Sequence, residues 1–405
     1  MAVHPTVKAG ASSPPTRGPR AGVLAVTAFA LAAPLPAAEY SLEYGAELFF
    51  EHNDNINLRP DQGIEVTGGY LAVPLTFGAR TERLESELTG EASFHRYDES
   101  AYDSENQDVQ GNISYQLERG EVSASAGFLR DTTRDSEFLD SGIIGAAATR
   151  RETASAGADT TYLFTERNGL IAGASYADVS YGGDRFQDYD YLSAFAGWLH
   201  RWSPRTQLRL QAYGNRTENR GTVSVIYEGL GAQAGIETAL SEQLELSLLA
   251  GWLSIDTGFD ATPPLLAPPG DSEGRYLLSG SLRYRGERAE LEARVKSEPR
   301  PSGIGILLDG QQLNLDYRYR LAERSRLAVG LVAGRQDAFD RRLQGQQRDY
   351  ASASLRYERR VSEAWSVSGR YVYRWQEAEF QPDAADGNAL YVSVRWSPLK
   401  QVWSR

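Results

Sequence analysis

From Tyr40 onward, apolar residues recur at every second position, which is the period of a β-strand with two different faces. In the stretch 365–376, one face carries Trp365, Val367, Gly369, Tyr371, Tyr373 and Trp375, and the other carries Ser366, Ser368, Arg370, Val372, Arg374 and Gln376. The stretches 109–118 and 312–321 repeat this alternation, and no stretch after residue 40 has a convincing 3.6-residue period. The pattern predicts an all-β chain.

Short polar turns alternate with long connectors between the predicted strands. Eight short turns are predicted near 81–83, 119–121, 165–168, 203–205, 241–243, 286–288, 323–325 and 362–364. Nine long connectors are predicted at 54–64, 99–107, 131–150, 182–189, 218–227, 257–275, 299–310, 339–349 and 377–388. Together they separate eighteen strands of about ten residues each, good to about two strands. This alternation is typical of a transmembrane up-and-down antiparallel β-barrel with short periplasmic turns and long extracellular loops.

Tryptophans distinguish a membrane barrel from a soluble β-sandwich, solenoid or propeller. Trp365 and Trp375 stand ten residues apart on one apolar face, which places them about 25 Å apart along a tilted strand, the height of a lipid-facing band. Trp198, Trp252 and Trp396 also fall at or near predicted strand ends. These five tryptophans are the predicted aromatic girdle.

Composition removes several classes of protein. The 405 residues hold 42 Lys and Arg against 54 Asp and Glu, a net charge of −12, with no Cys. An acidic chain does not favour a nucleic-acid partner, and the lack of Cys excludes disulfides and thiolate metal sites. A hydrophobic content of 41% and a mean hydropathy of −0.45 exclude a polytopic helical membrane protein. No metal site and no cofactor are predicted.

The amino-terminal segment is predicted to be a targeting signal. Lys8, Arg17 and Arg20 precede the apolar run 21–35, which small residues follow at 37–38. This is the pattern of a secretory signal peptide. We expect residues 1–38 to be cleaved, and residues 39–405 to form a single barrel domain in the bacterial outer membrane.

The polar faces of eighteen strands are predicted to line a water-filled lumen. The last third of the chain supplies a predicted basic wall: Arg283, Arg285, Arg294, Lys296, Arg318, Arg320, Arg356, Arg370, Arg374 and Arg395. Glu85, Glu87 and Glu91 are predicted to form an acidic stretch of the lumen. The basic wall has two readings, a track for anionic solutes or a set of ion pairs that only keeps the lumen wet.

Two long connectors carry apolar segments. The connector 131–150 contains the run 143–148, and the connector 257–275 contains the run 263–269. Inward folding would set the constriction of a pore, whereas outward packing against neighbouring loops is the alternative.

Catalytic chemistry has weak support in the sequence. No G-x-S-x-G, H-E-x-x-H, P-loop or dinucleotide motif is present. The only candidates for a hydrolase site at the rim are His95, beside Glu91 and Asp98, and His52, beside Asp54. We therefore expect that the chain is not an enzyme.

Two short segments resemble a known family. The segment 53–60, Asn-Asp-Asn-Ile-Asn-Leu-Arg-Pro, and the closing strand 390–399 are similar to those of the β-barrel porin 2 family, outer-membrane proteins associated with exopolysaccharide operons and exosortase systems. The resemblance implies a passive barrel near polysaccharide export. One departure is that the chain continues from Lys400 to Arg405, so that Trp396 or Trp403 would have to replace a terminal aromatic residue.

The predicted function is a porin-like passive conduit, with export of exopolysaccharide or other surface polymers as a possible association. The alternatives are a non-conducting scaffold for a surface-polysaccharide assembly, plugged by the connector 131–150, and a rim-site hydrolase. Expected partners are outer-membrane lipid and lipopolysaccharide, the barrel-assembly machinery and polysaccharide-export components. The sequence predicts no particular oligomer.

Overall fold

Strands account for nearly all of the regular structure in the computed structural model, which describes residues 38–404 except 62, 141–148, 184, 222–223, 261–270, 340–346 and 380. The strands are β1 (Glu39–Tyr44), β2 (Ala46–Asn53), β3 (Val66–Arg80), β4 (Leu84–Tyr97), β5 (Ser104–Leu117), β6 (Gly120–Thr132), β7 (Arg150–Leu163), β8 (Asn168–Tyr181), β9 (Asp188–Ser203), β10 (Thr206–Arg220), β11 (Ser224–Ala239), β12 (Leu244–Asp260), β13 (Asp271–Arg285), β14 (Ala289–Pro301), β15 (Leu307–Ala322), β16 (Ser325–Ala338), β17 (Arg348–Arg360), β18 (Trp365–Ala378), β19 (Ala385–Trp396) and β20 (Gln401–Ser404). One α-helix, α1 (Thr133–Asp140), and a 3₁₀ turn (Ser100–Tyr102) complete the described elements. Within this part of the chain, no helix has the length and apolarity to span a membrane.

The twenty strands form a closed antiparallel barrel of eighteen staves. β1 and β2 are one stave interrupted at Gly45, because both pair with β3 in a continuous register, Tyr44 opposite Leu75 and Glu47 opposite Ala72. β19 pairs with β2 and closes the ring, and β20 continues the last stave alongside β1. The predicted eighteen-strand antiparallel barrel is confirmed.

The eight predicted short turns all lie between consecutive strands, but the strands are longer than predicted. From β3 to β19 they have 12 to 17 residues rather than ten. The connector predicted at 218–227 shrinks to 221–223, and β12 continues to Asp260. Hydropathy reveals only the part of a strand that meets lipid, whereas the hydrogen-bond ladder continues beyond it between polar residues.

The outer face of the barrel is apolar and exposed. Leu230 is 72% exposed and Tyr276 76% exposed, and many other large apolar side chains share this face. A continuous apolar surface of this kind is stable in contact with lipid rather than water. A closed barrel is the β-structure that leaves no strand edge unpaired within the bilayer. The chain is therefore an outer-membrane β-barrel, as predicted.

The structure distributes the five girdle tryptophans unequally. Trp365 and Trp396 face each other in register at the short-turn end, and Trp375 lies on the same face of β18 as Trp365. Trp198 is five residues from the end of β9. Trp252 does not lie at a strand end, since β12 begins eight residues before it and ends eight residues after it. The unexpected length of β12 accounts for this difference.

The carboxyl-terminal residues belong to the barrel wall. The Trp403 ring stacks on the Tyr40 ring with their centroids 5.8 Å apart. Lys400 Nζ lies 2.8 Å from Glu43 Oε1. The segment that departs from the family pattern thus extends the closing seam between the first and last staves.

Candidate functional site

The polar strand faces point into the barrel. Arg356 on β17 lies 3.7 Å from Glu47 on β2, and the Tyr97 hydroxyl on β4 donates a 2.6 Å hydrogen bond to Glu51 on β2. In both pairs at least one strand stands between the two residues, so the side chains meet only on the concave side of the wall. The lumen is therefore the candidate functional site.

Most of the predicted basic wall is neutralised by ion pairs. Seven of its ten cations lie within 4 Å of a carboxylate, and they are Arg283, Arg285, Arg294, Lys296, Arg318, Arg356 and Arg395. Arg320 donates instead to the Glu287 carbonyl at 2.7 Å. For the seven paired residues, the ion-pairing interpretation of the wall describes the geometry better than a track of free charges does, and Arg320 is held by a backbone oxygen.

Arg370 and Arg374 on β18 differ from the rest of the wall. The Arg370 guanidinium lies 5.7 Å from the centre of the Tyr391 ring, and the Arg374 guanidinium 5.2 Å from the centre of the Phe138 ring. Within the described part of the chain, neither forms an ion pair. They stand four residues apart on one strand face, about 13 Å along the strand. They form what we call the arginine pair.

Two buried carboxylates stand on β2, which is separated from β18 by β19. Glu47 is 5% exposed and is held by Arg395 at 3.1 Å. Glu51 accepts hydrogen bonds from the hydroxyls of Tyr97 and Tyr391, at 2.6 and 3.1 Å. This side of the lumen therefore carries charges of both signs, but its carboxylates already bind Arg395 and the two tyrosine hydroxyls.

The predicted acidic residues of β4 share one strand face. Glu85, Glu87 and Glu91 alternate along this face with His95 at its upper end. Glu85 stands opposite Arg80 in the ladder, and Glu91 stands opposite Asp108. The three glutamates on β4 lie four staves around the ring from the arginine pair on β18.

Ser93 and Asn106, the polar neighbours described at His95, are not placed as the two partners of a catalytic relay. Its ring is stacked against Tyr70, with centroids 4.4 Å apart. Ser93 Oγ and Asn106 Nδ2 both approach the same nitrogen, Nε2, at 3.0 and 3.5 Å. A nucleophile–base–orienter relay needs the nucleophile and the orienting group on opposite ring nitrogens.

His52 has the same limitation. Thr67 Oγ1 and Glu65 Oε1 both approach its Nδ1, at 3.0 and 4.0 Å. Within the described ranges, no three acidic or histidine side chains are grouped closely enough to hold a metal ion.

Helix α1 lies inside the long-loop end of the barrel. It leaves β6, and yet Phe138 packs on Leu58, Tyr350 and Ala385 from the first connector, β17 and β19. Glu137 is fully buried and accepts a 2.7 Å hydrogen bond from the Tyr181 hydroxyl on β8. Because these partners stand on distant parts of the wall, α1 crosses the mouth and plugs part of it.

Phe138 is held between two guanidinium groups. Arg348 and Arg374 lie 5.0 and 5.2 Å from the centre of its ring. A cation–π contact contributes about 0.5–2 kcal/mol, whereas a hydrogen bond in which one partner is charged contributes about 1.5–3 kcal/mol. Arg348 is fixed by Gln376 and Gln336, at 2.9 and 3.2 Å, so Arg374 is the more replaceable of the two contacts.

The segment that carries the family resemblance is a clasp at the barrel seam. Asp54 accepts two hydrogen bonds from Asn388, from the backbone nitrogen at 2.6 Å and the side-chain nitrogen at 2.8 Å. Asn55 Nδ2 donates to the Asp386 carbonyl at 2.7 Å. Leu58, whose φ of +47° is unusual for a side chain of its size, is 1% exposed. The clasp seats Leu58 against Phe138, and the sequence motif did not reveal this role.

A second inward element comes from the other side of the mouth. The tip of the β14–β15 hairpin reaches the β8–β9 connector, where Gln187 N donates to the Gly303 carbonyl at 2.7 Å. A buried apolar cluster lies at the same end of the barrel, made of Tyr227, Leu253, Ile255, Leu277, Leu307 and Phe339. The apolar runs 143–148 and 263–269 lie outside the described residues, as do residues 1–37. Inward or outward folding of these two runs therefore stays a prediction.

The short-turn end keeps open volume. A cavity of about 650 Å³ lies between the lower ends of β9 to β13, where Gln207, Glu237 and Arg283 contribute to its lining. Higher on the wall, Ser125 stands opposite Gly157, and Gly157 opposite Ser175, across β6, β7 and β8. Small side chains there leave room for water.

No protein-family model matches the sequence, and no curated protein matches it either. Several solved outer-membrane channels are similar in architecture. OccAB3 of Acinetobacter baumannii is 11% identical, with a TM-score of 0.43 over 89% of this chain and 99% of that chain. OccK2 (OpdF) of Pseudomonas aeruginosa, in complex with glucuronate, is 12% identical, with a TM-score of 0.46 over 89% and 98%. A BenF-like porin from Pseudomonas fluorescens Pf-5 is 10% identical, with a TM-score of 0.45 over 89% and 99%. These similarities are too weak to support an inference about the solute of this chain.

Proposed function

We propose that this barrel is a passive conduit for small anionic solutes, and that Arg370 and Arg374 are the positions that contact the anion. The observation that carries the proposal is the contrast within the basic wall. Eight of its cations are taken by carboxylates or a backbone carbonyl, whereas Arg370 and Arg374, among the residues that the structure describes, face aromatic rings and no carboxylate partner. Of the ten, these two guanidinium groups keep the most capacity to bind an incoming anion.

The placement of the arginine pair suits transfer along the barrel. Both side chains project from the same face of β18, with Arg374 nearer the plugged mouth and Arg370 nearer mid-depth. An anion that leaves Arg374 meets Arg370 about 13 Å further along the strand. Weak binding at successive points allows a solute both to enter a pore and to leave it.

Reversal potentials in a planar bilayer, measured under a salt gradient, test the proposal. The refolded mature chain is expected to prefer anions. The double variant Arg370→Gln with Arg374→Gln is expected to lose this preference, because it removes two cations from the path.

The matched control removes an ion pair instead of free charge. Arg294 Nη2 lies 2.8 Å from Asp316 Oδ2, so Arg294→Gln with Asp316→Asn leaves the net charge of the lumen unchanged. We expect its reversal potential to equal that of the unmodified chain. An unchanged reversal potential in the arginine-pair variant would contradict the proposal.

The second candidate function is a non-conducting scaffold, which the seated α1 favours. A correctly folded barrel that never conducts, even after Phe138→Ala, would support it. The association with exopolysaccharide export rests on the resemblance of residues 53–60 and 390–399 alone and stays a prediction. Lipopolysaccharide, the assembly machinery and polysaccharide-export components likewise remain predicted partners.

A further inference from the structure

We infer that α1 is a gate that the transported anion itself releases, by weakening the contact between the Phe138 ring and the Arg374 guanidinium. This inference rests on the proposed function, because it assigns the regulation of the same arginine pair. It differs from a fixed constriction in one respect: the occupancy of the mouth by α1 depends on the solute.

The first step is that one group serves both the plug and the path. Arg374 is the cation of the arginine pair nearer the mouth, and its guanidinium faces Phe138, 5.2 Å from the ring centre. An anion bound in a bidentate manner would take the edge and the charge of that guanidinium. Neutralising the guanidinium in this way weakens its attraction for the face of the Phe138 ring, so anion binding and the ring contact oppose each other.

The second step is that the remaining contacts of α1 hold it near the mouth without depending on Arg374. Glu137 is bound by the Tyr181 hydroxyl on β8, and the Arg134 guanidinium lies 5.1 Å from the centre of the Tyr97 ring on β4. Both contacts lie away from β18. Weakening the Phe138–Arg374 contact would thus leave these two contacts in place, and Phe138 would then be held only by the Arg348 guanidinium and by its apolar neighbours among the described residues.

The balance between the seated and withdrawn states of α1 depends on how tightly each state binds the anion. An anion that binds Arg374 more tightly when Phe138 is withdrawn must shift the population toward the withdrawn state. Chloride, which is small and cannot bind in a bidentate manner, is expected to shift it less than a carboxylate does.

The absence of cysteine from the chain permits a direct test. Ala385 is 1% exposed and lies beneath Phe138 and Leu58, so Ala385→Cys places a thiol that α1 protects. A bulky, water-soluble maleimide labels it in the refolded mature chain. With saturating succinate, we expect the labelling rate to rise at least 10-fold, and not with chloride at equal ionic strength. The matched control, Asp383→Cys on the exposed connector of the same region, should label at one rate in all conditions.

Two variants in the Ala385→Cys background separate the roles of Arg374. Arg374→Gln removes both the ring contact and the anion contact, so it should label faster without succinate and should no longer respond to it. Arg374→Lys keeps the charge but loses the planar stacking surface, so it should label several-fold faster without succinate and should respond to succinate less than the Ala385→Cys background does. Heat-modifiable gel mobility establishes that each variant is folded, and the lysine variant keeps the test decisive if the glutamine variant is not.

The outcomes distinguish the gate from the conduit. The gate would be overturned if succinate did not change the labelling rate, or if it changed the rate equally in Arg374→Gln. The proposed conduit would still stand if the reversal potentials depended on the arginine pair. Reversal potentials that ignore the arginine pair would overturn the proposed function itself, whatever the labelling shows.

Discussion

The two ends of the lumen are built from the same wall and yet have opposite interiors. At the long-loop end, inward-facing positions such as Leu253, Ile255 and Tyr350 are buried in apolar clusters. At the short-turn end, inward positions such as Gln207, Glu237 and Arg283 border a cavity of about 650 Å³. The difference shows that side-chain polarity inside this barrel follows what covers a position, a folded connector or water, and not the position of the strand in the ring.

The consequence for function is a lumen with two tasks. The mouth is packed like a small protein core, in which α1, the seam clasp and the β14–β15 hairpin restrict entry. The region below it is polar and largely ion-paired, so it stays hydrated without presenting strong net charge. The arginine pair stands where the two regions meet, and we therefore expect selection and restriction to be coupled there.

The largest expected difference between the two ends concerns polar substitutions on β12. Ile255 and Leu249 lie six residues apart on one strand face, but Ile255 is only 1% exposed, in the mouth cluster. Ile255→Asn should lower the free energy of unfolding by about 3–5 kcal/mol, because it removes apolar contacts and buries an amide.

Leu249→Asn is the control at the wetter end, and we expect it to cost about 1 kcal/mol or less. Urea titration of the folded barrel, followed by tryptophan fluorescence, measures both variants. Equal losses would show that the two ends of the lumen are packed alike.

A smaller effect is expected at the seam clasp. Asp54→Ala removes two hydrogen bonds from a carboxylate that is partly open to solvent, so we expect a loss of about 1–2 kcal/mol. Asp61→Ala, at an exposed position of the same connector, should stay within about 0.5 kcal/mol of the unmodified chain. The same urea titration compares the two, and a clasp without effect would leave Leu58 and α1 positioned by packing alone.

The smallest expected effect is at the short-turn end of the same seam. The hydrogen bond with Glu43, together with its charge, raises the pKa of Lys400 above its ordinary value. A raised pKa in the folded state means that the contribution of Lys400 is fully present below its unfolded pKa, about 10.4, and is lost as the pH rises through the folded value.

Because Lys400 is exposed, this loss should be slight. Above about pH 10.4, the unfolding temperature of the unmodified chain should fall a little relative to that of Lys400→Ala. Between pH 7 and 9, the difference between the two unfolding temperatures should be constant. A difference that grows between pH 7 and 9 would point to another titrating group.

Much of the barrel was predictable from the sequence because its causes are local. The alternation in 365–376 reflects two environments, lipid on one side of the wall and the lumen on the other. Each strand shows this alternation in its own sequence, without reference to the rest of the barrel. The tight turns have their own polar residues, so all eight were found. Strand ends were not, because the ladder outside the lipid band is held by backbone hydrogen bonds that leave no hydropathy signal.

What only the tertiary structure decided is which charges remain available and where the connectors fold. In sequence, Arg294 and Arg374 look alike, but one meets Asp316 from β15 and the other meets Phe138 from a distant connector. Glu47 is neutralised by Arg356 and Arg395, from the opposite end of the chain. Ring closure brings these partners together. Alternation along a strand determines on which side of the wall a residue lies, and the closed ring determines what it meets there.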